Sequence, residues 1–379
     1  MDNSNTNILK ILQWNAKSAV SNKHSLVKCL CEYDVDIALI SETWFKPGSL
    51  ISFKGYNVVR NDRFDGYAGV AILIKNGYMY NELVLQNNFS SDIQMCGIEL
   101  IISNDRLSFF SLYCPPNSTT IASDWENIFS QLNNTGIIGG DFNAHHNIWG
   151  SYKTNQKGHQ IADILSDIDI ILLNTGQPTR FSQNNNSAID LTFSSPNLAI
   201  QCTWYTLGDT MGSDHFPIII EIERKISRSD TDFYGPKLKW NLKKANWNLY
   251  NHTAYIFFNN NQTQIHNTES KYHHLIEGIN AAADKSIAKY KISKCNKKNI
   301  LPPWWDNECE NVVNSRRDQL RAYKNQSTMQ NYLRCKQEMA KAKKTLKEKA
   351  RSNWRKWRRY QRMEESHPYP VSKTRKRPQ

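Results

Sequence analysis

Short apolar runs, separated by Gly, Pro, Asn and Asp, dominate the first 223 residues of the chain. Runs of this length between turn residues are typical of buried strands. Three longer stretches have helical spacing, at Lys23–Glu32, Ala122–Leu132 and His159–Ser166. Many strands with few helices indicate two packed sheets flanked by helices. The predicted strands are Ile8–Gln13, Ile37–Ser41, Val70–Ile74, Leu107–Leu112, Ile137–Gly140, Ile170–Leu173, Ile189–Phe193, Thr203–Leu207 and Pro217–Ile222.

The pattern changes after residue 223, where the chain becomes rich in Asn and Lys. Residues 224–307 predict a partly ordered linker. Residues 308–362 repeat apolar positions at helical intervals, which predicts a basic helical segment. Within it, Asn325–Thr328 indicates a break between two helices, with Thr328 as the N-cap of the second. Residues 363–379 predict a disordered basic tail.

Charge divides the chain at the same place. The first 223 residues hold 13 Lys and Arg against 22 Asp and Glu, a net charge of −9. The remaining residues hold 35 Lys and Arg against 13 Asp and Glu, a net charge of +22. An acidic part with clustered carboxylates is able to hold a metal ion, and a strongly basic part indicates a polyanionic partner.

Membrane and zinc-binding proteins are both disfavoured by the sequence. No run of about 18 apolar residues is present, and the polar stretch Met1–Lys10 is unlike a signal peptide. We therefore expect an intracellular protein without a membrane partner. The eight cysteines form no Cys-x-x-Cys pair, which argues against a zinc site and favours free thiols in a reducing compartment.

Side chains suited to phosphodiester chemistry follow the predicted strands. Asp141 and Asn143 lie two residues apart after Ile137–Gly140, so both would emerge on one face of a strand end. There they can orient a water molecule and accept its proton. Gly139 and Gly140 would allow the backbone to approach closely. The ordinary structural interpretation of the same residues is a Gly-Asp turn.

A second group of polar residues surrounds a histidine. Asp214 and His215 end a Gly-Ser turn before the strand Pro217–Ile222. Imidazole suits proton transfer or phosphate stabilisation near neutral pH. Asp190 is a charge inside an apolar strand and needs a partner, for which His215 is a good candidate. The structural alternative is that Asp190 caps a neighbouring turn.

Three further strand ends carry oxygen or amide groups. Glu42, at the mouth of a buried strand, is a candidate Mg²⁺ ligand, because magnesium is usually bound by one or two carboxylates. Asn15 can contact the metal's ligand shell or a phosphate. The Tyr113 hydroxyl can donate to a phosphate oxygen, although ordinary strand packing also explains Tyr113.

The order and spacing of these residues resemble the apurinic-endonuclease branch of the DNase I-like endonuclease/exonuclease/phosphatase fold. The resemblance covers about residues 8–223 and implies an α+β protein, a four-layer α/β-sandwich, which the basic and mainly helical tail follows. Residues 1–223 would then be the catalytic domain. Six short matches carry the resemblance: Gln13-Trp14-Asn15, Ser41-Glu42-Thr43, Leu112-Tyr113, Gly140-Asp141-Phe142-Asn143, Ile189-Asp190 and Ser213-Asp214-His215.

The resemblance implies a metal site and a substrate site. Glu42 would hold Mg²⁺, with Mn²⁺ as a substitute, and Asn15 and Asp214 would lie near the ion. Tyr113, Asn143 and Asn15 would bind the substrate.

The resemblance also implies the catalytic roles. Asp141, steadied by Asn143, would orient or deprotonate the attacking water. His215, paired with Asp190, would act on the phosphate, while Tyr113 contacts a phosphate oxygen.

Finer matches resemble jockey-like insect retrotransposons. The segments Asp141–Ser151 and Ala188–Phe193 carry this likeness within the domain. The segment Pro303–Cys309, followed by a basic helix, resembles the linker that such polyproteins place before reverse transcriptase. We interpret His145 and His146 as features of a loop that packs or faces DNA, rather than as catalytic groups.

Two departures from these families stand out. The repair enzymes usually carry an acidic residue two places after the Asn that corresponds to Asn15, where this chain has Lys17. This difference weakens the case for abasic-site repair and leaves fewer acidic ligands for the metal. No Tyr-x-Asp-Asp polymerase motif appears before Gln379. We therefore expect a fragment or a truncated copy of an element whose reverse transcriptase is absent here.

The expected function is a Mg²⁺-dependent DNA endonuclease of a non-LTR retrotransposon. It would nick target DNA in the nucleus and leave a 3′-hydroxyl for target-primed reverse transcription, with Lys373–Arg377 as a candidate localisation signal. Two alternatives stay open. One is a cellular phosphodiesterase of the same fold, such as a repair nuclease, a sphingomyelinase or an inositol-phosphate phosphatase. The other is a catalytically silent nucleic-acid binder.

The basic tail has two interpretations. It would grip DNA, or the element's RNA, through Lys and Arg, with Trp354 and Trp357 stacking on unpaired bases. Alternatively, these aromatic side chains pack on another helix or on the polymerase. On the first interpretation, residues 1–224 nick DNA but bind it more weakly than the whole chain.

Overall fold

The computed structural model describes residues 6–85, 89, 92–102, 105–132, 135–182, 187–225, 238–260, 268–291, 301–302 and 304–366. The chain divides into two compact units. The first unit combines residues 1–226 with residues 299–379, and the second contains residues 227–298.

Two six-stranded sheets form the body of the first unit. One sheet contains β1 (Thr6–Asn15), β2 (Ile37–Ser41), β3 (Tyr56–Asn61), β4 (Val70–Lys75), β11 (Cys202–Thr206) and β12 (Ile218–Lys225), in the order β11–β12–β1–β2–β4–β3. The other contains β5 (Met79–Glu82), β6 (Gln94–Ile102), β7 (Asp105–Tyr113), β8 (Gly136–Asp141), β9 (Ile171–Leu172) and β10 (Asp190–Ser194), in the order β5–β6–β7–β8–β10–β9. Each sheet contains one parallel pair, β1 with β2 and β7 with β8.

The alternation of apolar side chains along these strands explains the layers. Ile11 and Phe109 point into the core between the two sheets, whereas the next residues, Leu12 and Phe110, point outward. Leu12 packs in the same cluster as Leu26 of α1 (Lys23–Glu32). Phe110 packs with side chains of α2 (Ala122–Ser130) and α3 (Gln156–Asp167). The domain is therefore a four-layer α/β-sandwich, as the sequence predicts. A single-turn helix, α4 (Pro196–Ala199), joins β10 to β11.

All nine predicted strands and all three predicted helices of this domain are confirmed, with shifted ends. Three strands were not predicted. β5 is mostly exposed and β3 is an edge strand with polar ends, so neither has a continuous apolar run. In β6, Gly97 interrupts the pattern because the ring of Phe110 lies where a Cβ would sit.

A helical hairpin completes the first unit. It consists of α7 (Asn307–Asn325) and α8 (Met329–Ser366), and we call it the C-terminal hairpin. The break falls at the predicted place, and Thr328 caps α8 by accepting a hydrogen bond from the backbone N–H of Asn331 at 3.2 Å. The sequence predicted residues 308–362 as a segment separate from the catalytic domain, but these residues belong to the same compact unit as residues 1–226. The exact domain limits stay a prediction.

The predicted disordered tail, residues 363–379, is partly helical, because α8 continues to Ser366. The remainder of that segment lies outside the described residues. The side chains of Trp354 and Trp357 also lie outside them, so the stacking prediction stays a prediction. No helix in the described ranges has the length and apolar character needed to cross a membrane.

The second unit corresponds to much of the predicted linker. It contains α5 (Trp247–Asn260), α6 (Thr268–Ser286) and a short hairpin of β13 (Leu238–Trp240) with β14 (Lys289–Lys291). The two helices pack closely at Gly278, where a Cβ would meet the ring of Phe258. The partly ordered segment predicted from the sequence thus contains two regular helices.

Candidate functional site

The site forms where the central strands of both sheets end at one edge. Asn15 and Ser41 are neighbours at the ends of the parallel strands β1 and β2. Tyr113 and Asp141 are neighbours at the ends of β7 and β8. Asp190, at the start of the antiparallel strand β10, pairs directly with Asp141. Parallel strands bring their carboxyl ends together, so residues far apart in sequence meet here.

The backbone of the loops at this edge adopts uncommon conformations. Lys17, Glu42, Asn143 and Met211 have φ values of 40°, 48°, 48° and 57°. Residues other than glycine rarely adopt this left-handed region, and such conformations concentrate at functional sites. In each case the turn lies within five residues of a predicted site residue, so local strain accompanies the placement of the functional side chains.

A network of hydrogen bonds joins the carboxylates of the two sheets. The side-chain nitrogen of Asn15 donates to Glu42 Oε1 at 2.9 Å and to Asp141 Oδ2 at 2.7 Å. The other Asp141 oxygen accepts from the backbone N–H of Asn143 at 3.0 Å. The side-chain amide of Asn143 donates in turn to the Cys114 backbone carbonyl at 3.0 Å. Asn15 therefore uses its donor to hold two carboxylates near one another.

His215 pairs with Asp190, as the sequence predicts. Its Nδ1 lies 2.8 Å and 3.0 Å from the two Asp190 oxygens, and its Nε2 lies 3.9 Å from Asp141 Oδ2. Burial lowers the pKa of His215, but the charge and hydrogen bond of Asp190 outweigh this effect and raise the pKa to about 9. The imidazole is therefore cationic at neutral pH, with Nε2 on the Asp141 side.

Asp141 is the most perturbed acid of the site. It is only 1% exposed, and this burial, together with repulsion from Asp190, raises its pKa above the ordinary value, although the charge of His215 opposes the rise. A carboxylate with a raised pKa is a stronger base and is better suited to accepting a proton from water. The geometry thus supplies a candidate base next to a cationic imidazole.

These groups line a small cavity of about 80 Å³. Tyr113 borders it and hydrogen-bonds Glu42, and burial, followed by the charge of Glu42, raises the pKa of the phenol. Tyr113 is therefore a neutral donor. The indole N–H of Trp44 also donates to Glu42 at 3.3 Å. The lining residues are Lys17, Glu42, Tyr113, Pro116, Asp141, Asn143, Arg180, Asp214 and His215.

Asp214 is held by two cations that sequence reasoning did not assign to the site. Lys17 Nζ lies 3.0 Å from Asp214 Oδ2, and Arg180 Nη2 lies 3.5 Å from the same oxygen. Burial raises the pKa of Asp214, but the positive charges of His215, Lys17 and Arg180 outweigh it and lower the pKa to about 2. Lys17 was recognised only as a departure from the repair enzymes. No local sequence pattern indicated that Arg180 belongs to the site, because a β-bridge with the distant residue His215 brings it there.

The donor set fits a divalent metal ion near Glu42. Asp141, Asp190 and His215 offer potential ligand atoms within 4.8 Å of one another. However, Asp190 and the Nδ1 of His215 already satisfy each other, which favours proton chemistry for this pair. Glu42 offers carboxylate oxygen at the cavity, and the buried Asp214 Oδ1 has no hydrogen-bond partner among the described residues. Such hard oxygen donors suit Mg²⁺.

A buried polar group beneath the site ties the two sheets together. Gln13 of β1 donates to the carbonyls of Gly140 and Leu191 in the opposite sheet, at 3.3 Å and 3.1 Å. Its oxygen accepts from Thr192 at 2.7 Å. The predicted close approach of the backbone is confirmed at Gly140, where a Cβ would collide with the backbone of Leu112, whereas a Cβ at Gly139 would meet the Gln13 side chain. These contacts hold Asn15 and Asp141 in register across the two sheets.

His145 and His146 lie outside the lining of the cavity. The His146 ring accepts the backbone N–H of Ile148 at 3.2 Å and so caps a short 3₁₀ helix at Asn147–Trp149. Burial, followed by the charge of Lys153, lowers the pKa of His145 to about 4. This neutral ring lies 6.4 Å from that of Tyr152. His146 thus has a role in loop structure, whereas the buried Nδ1 of His145 has no hydrogen-bond partner among the described residues.

Comparisons with known proteins show which proteins this chain is similar to. Residues 107–219 match the family described as "Endonuclease-reverse transcriptase". The chain is 30% identical over 224 residues to the probable RNA-directed DNA polymerase from transposon X-element of Drosophila melanogaster. The aligned region covers 57% of this chain and 24% of that protein. It is 29% identical over 220 residues to the RNA-directed DNA polymerase from mobile element jockey of the same organism, covering 56% of this chain and 23% of that protein.

A solved structure confirms the fold. The endonuclease domain of TRAS1, a telomere-specific non-LTR retrotransposon, matches with a TM-score of 0.51 and 22% identity, covering 58% of this chain and 100% of that chain. The present chain spans about a quarter of the length of the curated relatives it matches.

Proposed function

We propose that the endonuclease/exonuclease/phosphatase domain of this chain, which is homologous to part of the jockey and X-element polymerases, is a divalent-metal-dependent DNA endonuclease. One observation carries the proposal, namely the hydrogen-bonded series that runs from Glu42 through Asn15 and Asp141 towards His215 and Asp190. It combines oxygen ligands for a hard cation, a base for water and a cationic imidazole. In metal-assisted hydrolysis of a phosphodiester, such groups activate the water and stabilise the charge that develops on the phosphate.

Each side chain has a chemical task in this proposal. Asp141, fixed by Asn143, orients the attacking water and accepts its proton. The cationic His215, held by Asp190, stabilises negative charge on the phosphoryl oxygens, to which the neutral phenol of Tyr113 donates a hydrogen bond. When bound at Glu42, Mg²⁺ or Mn²⁺ supplies Lewis-acid stabilisation of the same charge.

The biological role that we propose is target-site nicking. The enzyme would cut one strand of DNA and leave a 3′-hydroxyl that primes reverse transcription. The relatives are named as RNA-directed DNA polymerases of mobile elements, which supports this role. Work in the nucleus and partnership with a reverse transcriptase are parts of the same proposal.

A plasmid assay tests the proposal. The full chain, incubated with supercoiled plasmid and Mg²⁺, should produce nicked circles that a DNA polymerase extends directly from the 3′-end. EDTA should stop the reaction, and Asp141→Asn should remove it while leaving the circular dichroism spectrum unchanged. A folded protein that leaves the plasmid intact with both Mg²⁺ and Mn²⁺ would contradict the proposal.

A further inference from the structure

The catalytic domain is acidic overall, so positive charge elsewhere in the chain favours its binding to a polyanion. Residues 1–223 carry a net charge of −9, which repels DNA in general. Residues 307–366, which form the C-terminal hairpin, carry 17 Lys and Arg against 7 Asp and Glu, a net charge of +10. The position of this hairpin therefore contributes to where DNA is attracted.

The hairpin packs directly beside the site. Phe216, which follows the catalytic candidate His215, is buried in one cluster with Phe181 of the domain and with Leu320, Tyr323 and Met339 of the hairpin. The rings of Phe181 and Tyr323 lie 5.0 Å apart in an edge-to-face arrangement. Aromatic pairs stabilise packing beyond the contribution of the apolar area that they bury. These contacts therefore hold the hairpin against the loop and strand that carry the site.

A buried ion pair forms a second attachment. Arg316 of α7 is only 2% exposed and hydrogen-bonds Asp209, in the loop that leads to Asp214 and His215. Arg317 approaches the same carboxylate at 3.4 Å. The hairpin is thus joined to this loop by both apolar and charged contacts.

The docked helix α8 borders a groove that adjoins the active-site cavity. The groove has a volume of about 230 Å³. Lys17 and Asp214 line both spaces, so the two are neighbours. The domain side consists of Lys17, Gly212, Ser213 and Asp214, and the helix side of Lys336, Met339, Ala340 and Lys343.

Two lysines on this helix face have no carboxylate partner among the residues that the structure describes. Lys336 Nζ lies over the rings of Phe181 and Tyr332, at 5.3 Å and 5.4 Å from their centroids. Lys343 is half-buried, and this burial lowers its pKa. Within the described ranges, neither ammonium group forms an ion pair. Their charge is therefore available to an external anion.

The same face continues along α8. Lys336, Lys343, Lys347 and Arg351 follow one another at helical spacing and lie on one side of the helix. Lys347 and Arg351 both approach His24 of α1, whose pKa is lowered by burial, then by Lys23 and by these two cations. From Lys336 to Arg351 the row extends about 22 Å.

We propose that this face of α8 is one wall of the DNA path, with Lys336 and Lys343 binding backbone phosphates next to the scissile bond. The inference rests on the proposed endonuclease function. DNA is favoured over RNA because the wall shares Lys17 and Asp214 with the cavity in which the phosphodiester would be cut. Lysine contacts to phosphates supply affinity with little sequence preference.

A pair of double variants tests the wall in the full chain. Lys336→Ala/Lys343→Ala removes two charges from the proposed wall. Arg334→Ala/Lys341→Ala removes two charges from the opposite side of the same helix and is the matched control. Binding of a fluorescent duplex is measured by anisotropy without metal, over a range of salt concentrations. Nicking is measured with Mg²⁺ under single-turnover conditions.

The wall variant should bind duplex at least about fivefold more weakly, and the slope of log affinity against log salt should fall by about 2. The control should stay within about twofold of the unchanged protein in both duplex binding and single-turnover nicking. Equal losses for both variants, or no loss for the wall variant, would overturn the proposal. So would a wall variant that loses affinity for a fluorescent single-stranded RNA, measured in the same way, but keeps its affinity for the duplex. If nothing nicks while the binding difference persists, the wall stands and the proposed endonuclease function fails.

Discussion

Lys17 Nζ lies 3.0 Å from Asp214 Oδ2, at the boundary between the active-site cavity and the groove along α8. The Lys17 side chain is 52% exposed, so part of its charge still faces solvent. With Lys17 and Arg180 on one Asp214 oxygen, we infer that Glu42 is the principal carboxylate for the metal. This arrangement differs from that of repair enzymes, in which an acidic residue usually stands at the position of Lys17.

The first prediction concerns Lys17. Lys17→Gln removes a charge that we expect to contact a phosphate, so duplex binding should weaken and the salt slope should fall by about 1. Lys46→Gln, on an exposed turn of the same domain, is the control and should bind as the unchanged protein does. An unchanged salt slope for Lys17→Gln would confine Lys17 to holding Asp214.

The second prediction concerns the catalytic pair. Asp141→Ala and His215→Ala should each lower single-turnover nicking by about 10²–10⁴-fold, because each removes a group that acts on protons or charge in the transition state. The double variant should lose little more than either single variant, since both residues serve one transition state. Circular dichroism checks that the variants fold. Nicking at the unchanged rate by folded Asp141→Ala would refute the assignment, and fully additive losses would show independent roles.

The third prediction concerns the metal. Glu42→Gln should raise the Mg²⁺ concentration needed for half-maximal nicking, because a neutral amide is a poorer ligand for a hard cation. Glu82→Gln, at the exposed strand β5, should leave the metal titration unchanged. A metal titration identical for the two variants would remove Glu42 from the metal site.

The sequence predicted the layers and the site well, because both depend on local patterns. Each strand that reaches the site has a buried apolar run, and the polar residue at its end is conspicuous against that run. Asn15, Glu42 and Asp141 were found in this way, whereas His215 was found in the Gly-Ser turn before its strand. The structure places these four side chains close together. Arg180 was missed because only a bridge between distant segments brings it to Asp214.

The docking of the hairpin could not be predicted from local pattern. Helical periodicity shows that α7 and α8 each have an apolar face, but it does not identify the surface that this face covers. Arg316 resembles other cations of a basic helix in sequence, yet it is buried against Asp209. The expectation that residues 1–224 nick DNA but bind it more weakly than the whole chain stays a prediction. Their isolation would expose Phe181 and Phe216, which pack against the hairpin.

The fourth prediction concerns the stability of the docked hairpin. Arg316→Ala leaves the buried Asp209 carboxylate without its main partner, which typically costs about 3–5 kcal/mol in the free energy of unfolding. The melting temperature should therefore fall by roughly 10 °C. Arg321→Ala is the control, because its ion pair with Asp318 is exposed and such pairs contribute about 1 kcal/mol or less. Equal melting temperatures for the two variants would show that the Arg316–Asp209 pair does not hold the hairpin.

The last prediction concerns the pH dependence of that pair. Burial raises the pKa of Asp209, but the charge and hydrogen bond of Arg316 outweigh it, so the pKa in the folded protein lies below the ordinary value. A carboxyl group whose folded pKa is lowered stabilises the protein above its unfolded pKa of about 3.9. This stabilisation is lost as the pH falls through that value towards the lower folded pKa.

Thermal unfolding of the unchanged protein and of Asp209→Asn, between pH 7 and pH 3, measures this contribution. Asn keeps the shape of the side chain but cannot ionise. The difference in melting temperature between the two proteins should be constant above about pH 5 and should shrink below about pH 4. A difference that stays constant over the whole range would show that the ionised carboxylate of Asp209 does not stabilise the docked hairpin, and that apolar packing around Phe181 and Phe216 holds it instead.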